Sequence, residues 1–134
     1  MTIAHLTQAI ETLVREKGYK FCSATADYRP SQIAALPAAF LLPPEFRAIE
    51  GRNSGKITYR ISLDLLAKGA RLAPAERTKV LDKLESDIFA IFGRLSAEPR
   101  VVAVEEMTVS PVSKPLTSLG DVAMRAVAEV VTCF

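Results

Sequence analysis

Ile57-Thr58-Tyr59-Arg60-Ile61-Ser62-Leu63-Asp64-Leu65 decides the fold. The odd positions are apolar and the even ones polar. A period of two describes a strand with one dry face and one wet face. Such a strand belongs to a sheet whose dry side a helical layer can cover.

Toward the C-terminus, Lys68-Gly69-Ala70 makes a turn and Pro74 suits a first helical position, with Glu76 near the positive helix end. Val80, Leu81, Leu84, Ile88, Ile91, Phe92 and Leu95 recur at helical spacing, which predicts a helix over 74–95. Phe89 falls off the centre of that stripe and reads either as peripheral core or as a subunit contact. Asp82, Glu85 and Asp87 take the charged side, where solvation is expected. Residues 100–109 are β-rich, with Val102 and Val104 alternating against Ala103 and Glu105. Residues 110–120 have a loop composition, and Val122 begins a closing strand. That strand carries Val122, Met124, Ala126, Ala128 and Val130 on one side and Arg125, Val127, Glu129 and Val131 on the other. Apolar residues on both sides predict that both faces are partly covered, which points to oligomer formation.

Toward the N-terminus, Ile3, Leu6, Ile10, Leu13 and Val14 share a helical face, giving a helix over 3–17 that Gly18 caps. Residues 19–25 read as a short strand, broken before Pro30. Residues 32–42 are apolar and extended, and Pro37 within them argues for an edge strand or a bulge. Pro43-Pro44 ends that strand. Residues 43–56 then show no clean period and read as an extended loop or arm. The whole predicts one α+β domain over 1–134: an antiparallel sheet of about four to five strands packed by two helices.

The 134 residues are 49% hydrophobic and 24% charged, which excludes intrinsic disorder. The net charge of +2 is too small to argue for nucleic-acid binding. It is unevenly spread, with +4 over residues 1–72 and −2 over 73–134. Cys22 and Cys133, without CxxC spacing, read as buried small hydrophobes of a reducing compartment; a disulfide between first and last strands is geometrically open. The polar interruptions at Gln8, Glu11 and Arg15 fit a helix and not a signal peptide, so an intracellular protein is expected, and no segment has the apolar length of a membrane span.

Catalytic constellations are scarce. His5 is the sole histidine, on a polar helix face without co-ligands. Phosphate-cradling glycine loops and a GxSxG elbow are missing from the sequence. Glu105-Glu106 are adjacent on a strand and are expected to point to opposite faces. No enzyme activity, cofactor or metal is therefore expected. Arg47, Arg52 and Lys56 in or beside the long connection, and Lys114 in the later loop, are positioned for non-specific phosphate contact.

The element order is the remaining clue: helix 3–17, the strand Ala35-Leu36-Pro37-Ala38-Ala39-Phe40-Leu41, a connection, the strand Tyr59–Leu65, helix 74–95, and a closing strand 122–132. This order resembles the tail terminator and head–tail joining (neck) proteins of long-tailed bacteriophages. The resemblance spans nearly the whole chain and rests on no invariant motif. It implies a structural virion protein without catalytic residues, made in the host cytoplasm and built into the neck as a six-membered ring. Its partners would be further copies of itself, the tail tube and the head-completion proteins, with DNA passing through the lumen and no membrane involved. On that analogy the 43–56 connection and the 110–120 loop project toward neighbours or tube, and Arg47, Arg52 and Lys56 lie near the lumen. The family is often more acidic than the +2 here. Two other readings remain: a head-completion or minor tail protein of the same fold, and a cellular dimeric binding or regulatory domain.

Overall fold

The structure, a computed structural model, describes residues 1–23, 33, 35–51, 55–69, 71–117 and 119–133. Two helices and a six-stranded, mostly antiparallel sheet make an α+β fold, one or two strands richer than expected. The order is α1 (Ile3–Glu16), β1 (Lys20–Ser23), β2 (Ala38–Leu41), β3 (Glu45–Glu50), β4 (Lys56–Lys68), α2 (Pro74–Leu95), β5 (Val101–Pro111) and β6 (Asp121–Cys133).

The alternating strand is the spine. β4 pairs antiparallel with β6 along its whole length, from Lys56 opposite Cys133 to Lys68 opposite Asp121. Its other edge is shared by two strands end to end. β2 takes Leu63–Leu66, and β3 takes the start of β4 through Arg60. β5 flanks β6, and β1 adds to β2 in a parallel pair, the only one among the described residues.

Helix ends follow local chemistry. The Thr2 hydroxyl accepts from the His5 N–H at the start of α1, and Gly18 closes its end with a φ of 90°. Pro74 occupies the first turn of α2, where its missing N–H costs nothing. Both helices cover one face of the sheet. Leu6, Ile10, Leu13 and Val14 of α1 and Leu84, Ile88, Ile91, Phe92 and Leu95 of α2 bury against Ile61, Leu63 and Leu65 of β4 and Met124, Ala126, Ala128 and Val130 of β6. A smaller apolar cluster lies on the opposite face, where Ile33, Ala38, Phe40, Leu66 and Ala123 gather beneath Val112 and Leu116.

Several expectations need correction. Within the 43–56 segment, whose residues 52–54 lie outside the described residues, Glu45–Glu50 is a strand and not loop, paired antiparallel to β4. Its register shifts between Phe46 and Ala48, so a bulge at Arg47 breaks the period of two that would have revealed it. β2 is interior and starts after Pro37, whose carbonyl accepts from the Lys20 N–H at 3.1 Å; the proline therefore removes no ladder donor. β5 also carries bulges. Glu106 has a φ of 51°, and Val104 and Met107, three residues apart, both reach the helix-side core. The strict alternation assumed for Glu105-Glu106 fails there, and Val102 is exposed. Asp87 is half-buried and bonded, not simply solvated. Cys22 and Cys133 are free thiols, partly and not fully buried.

Candidate functional site

The β3–β4 hairpin is the most exposed part of the sheet. Every residue of β3 is exposed, including Phe46 at 58% and Ile49 at 56%. In a regular strand these two, three positions apart, would fall on opposite faces. The bulge at Arg47 brings both to the helix side, Phe46 opposite Tyr59 and Ile49 opposite Ile57. The Phe46 ring meets the Tyr59 ring edge-on, with centroids 6.5 Å apart. Arg47 goes the other way and lies 3.8 Å from the Glu129 carboxylate.

The face of the sheet away from the helices is only partly covered. At its centre Asp64, fully buried, accepts from Arg125 Nε at 2.7 Å and Nη2 at 2.9 Å. Those bonds hold the Arg125 guanidinium above its ordinary pKa, with the Asp64 charge adding to the effect against the opposing cost of burial. Val127 and Val131 are half-buried on the same face. At its end the segment after β5 folds back, because the buried Asp121 carboxylate accepts from the Leu116 and Thr117 N–H groups and the Thr117 hydroxyl.

A groove of about 560 Å³ opens at the far end of β4. Leu36, Pro37, Ala67, Val80 and Leu84 give it an apolar floor, and Lys17, Lys68, Lys79 and Lys83 form its rim. Lys83 donates to Asp87 at 2.7 Å, whereas Lys17, Lys68 and Lys79 make no ion pair with any described residue. Tyr19 also lines the groove, and its hydroxyl donates to Asp87 at 2.5 Å. Burial and that bond to a carboxylate push the Tyr19 phenol well above its usual range.

The residues singled out from sequence do not converge on one site. Arg47 and Lys56 share the hairpin end on the uncovered face. Arg52 lies outside the described residues. Phe89 is half-exposed on α2, and Lys114 is exposed in the segment following β5, near the opposite end of β4. Sequence reading missed Phe46, Ile49 and the lysine rim. Their only sequence signal was apolar residues within a stretch of apparently irregular period, and lysines far apart in the chain.

Among the described residues no group of three or more His, Cys, Asp or Glu side chains is placed to hold a metal ion, and no helix is long and apolar enough to cross a membrane. His5 is exposed, its ring nitrogen 3.1 Å from the Thr2 hydroxyl. No known family model matches the chain, and no curated protein matches it.

Proposed function

We propose that this chain is a ring-forming structural subunit that completes the tail of a long-tailed bacteriophage and joins it to the head connector. The observation that carries the reading is the exposed β3–β4 hairpin, whose Phe46 and Ile49 present apolar side chains that a stable monomer would ordinarily shield. The element order read from the sequence supports it. A head-completion or minor tail role on the same fold would use the same surfaces toward different neighbours.

Native mass spectrometry across a concentration series, with negative-stain imaging of large species, tests this reading. A closed ring, or incorporation at the end of added tail tubes, is the expected result. A subunit that neither closes nor joins tubes overturns it. The half-buried Val127 and Val131 on the uncovered face favour one rival, a cellular dimeric domain, and a persistent dimer would select it.

A further inference from the structure

We propose that the lysine-rimmed groove binds an amphiphilic anion, an aliphatic chain ending in a carboxylate, with the chain on the apolar floor and the head among the ammonium groups. The site goes beyond the ring-subunit reading and does not depend on it. The hairpin that carries that reading sits beside Ile57, whereas the groove floor includes Ala67. Ten residues separate the two, about 33 Å at the rise of an extended strand.

The rim supplies the charge. Lys79 and Lys83 stand one turn apart on α2, Lys17 follows α1 and Lys68 ends β4, so positive charge reaches the groove from three elements. None of the described residues lining the groove is acidic. Asp87 is bonded to the Tyr19 hydroxyl and to Lys83, and it offsets Lys83 alone. Lys17, Lys68 and Lys79 keep their charge without an ion pair among the described residues. Like charges gathered beside an apolar, weakly screening surface repel one another, and an anionic head relieves that repulsion.

The floor supplies the rest. Its side chains are aliphatic, from Leu36, Pro37, Ala67, Val80 and Leu84. The one aromatic ring among the described lining residues, Tyr19, has the Lys83 ammonium over it, 5.6 Å from the ring centre, so that face is closed to a stacking ligand. Such a floor takes an alkyl chain, and the lysine stems lengthen its walls with methylene groups. A bare anion keeps its hydration in water, and an uncharged chain gains nothing from the rim, so both halves of the ligand are needed. Lysine heads act as mobile point charges and suit a compact anionic head; the rigid fork of arginine, absent from the described lining residues, would favour bidentate recognition. The volume of about 560 Å³ falls within the range of small-molecule sites, about 300–1,000 Å³.

Isothermal titration calorimetry of the full chain with dodecanoate, kept below its micelle concentration, tests the site, and amide NMR shifts locate it. Acetate supplies the head without the chain, and dodecyl maltoside the chain without the charge. Saturable binding of dodecanoate, with shifts centred on Ala67 and Val80, is the expected result. Both control ligands should bind at least about tenfold more weakly. Lys79→Glu should weaken dodecanoate binding about tenfold or more, because the head then meets a like charge at the rim. Lys17→Glu repeats the test from another element; both lysines are exposed, so circular dichroism should show an intact fold in each variant. A chain that does not bind dodecanoate, binding that both variants leave unchanged, or shifts confined to Phe46 and Ile49 overturns the proposal. Equal binding of the maltoside overturns the selection of an anion. A peptide of alternating leucine and glutamate that binds where dodecanoate does not overturns the proposal by assigning the groove to a protein partner. None of these outcomes bears on ring closure, which native mass spectrometry reads separately.

Discussion

Asp64 on β4 and Arg125 on β6 stand directly opposite, and the fully buried carboxylate takes two bonds from the guanidinium, at 2.7 and 2.9 Å. Their opposition marks the register of the longest strand pair. A slip of one residue would send every side chain of β6 to the wrong face and strand the Asp64 charge.

Removing one partner should therefore be costly. Arg125→Met leaves a buried carboxylate without its cation, and about 3 kcal/mol of stability should be lost, the low end for such pairs because the Arg125 side chain is 41% exposed. Replacing both, as Asp64→Leu with Arg125→Met, should recover most of that loss. Urea unfolding of the three chains decides it: a single variant as stable as wild type would mean the carboxylate finds water.

Ile88 and Phe89 are neighbours on α2 with opposite fates. Ile88 is fully buried, while Phe89 is 50% exposed. Ile88→Ala should cost about 2–5 kcal/mol through lost burial and the cavity left behind. Phe89→Ala should stay within about 1 kcal/mol, as most surface changes do. Equal thermal shifts for the two would contradict the orientation of the helix.

How much of this was legible depended on how local each signal is. Gly18 and Pro74 mark helix ends by their own backbone preferences, and the period of two in β4 and β6 survives because both run regularly for 13 residues. β3 was hidden because a single bulge at Arg47 reverses the phase of its pattern within six residues. The parallel pairing of β1 with β2 has no local signature at all. Asp64 and Arg125 were each visible on the polar side of a strand, but their meeting across 61 positions depends on a register that only the assembled sheet defines. The groove is equally non-local, since its lysines come from the end of α1, the end of β4 and the first turns of α2.

Gly69 tests the junction between β4 and α2. A Cβ there would sit 2.4 Å from Val122 Cγ1 and 2.9 Å from the Val122 backbone nitrogen. Its own N–H donates to the Gly120 carbonyl at 3.0 Å, so the backbone has little freedom to retreat. Gly69→Ala should cost about 1–3 kcal/mol, the usual penalty of overpacking. Adding Val122→Ala should recover only part of it, because the clash with the backbone nitrogen remains. Full recovery, measured by urea unfolding, would show that the side chain alone sets the fit.

Tyr19 makes the alkaline limit of stability testable. Its phenol is held protonated above the ordinary value of 10.0, first by burial and then by the bond to Asp87. A group whose folded pKa is raised contributes its full stabilisation below the unfolded value and loses it as pH rises beyond. Between pH 10 and 12 the unfolded chain sheds this proton while the folded chain keeps it, so stability should fall by up to about 1.4 kcal/mol per pH unit from this residue alone. Tyr19→Phe removes both the proton and the hydrogen bond. The variant should be about 1–2 kcal/mol less stable at pH 8 and show a shallower alkaline limb, so that the two curves meet at about pH 11 and cross above it. Urea midpoints measured at intervals from pH 8 to 12 would read this directly. Parallel curves would mean that the phenol titrates alike in both states and that burial against Asp87 does not hold its proton.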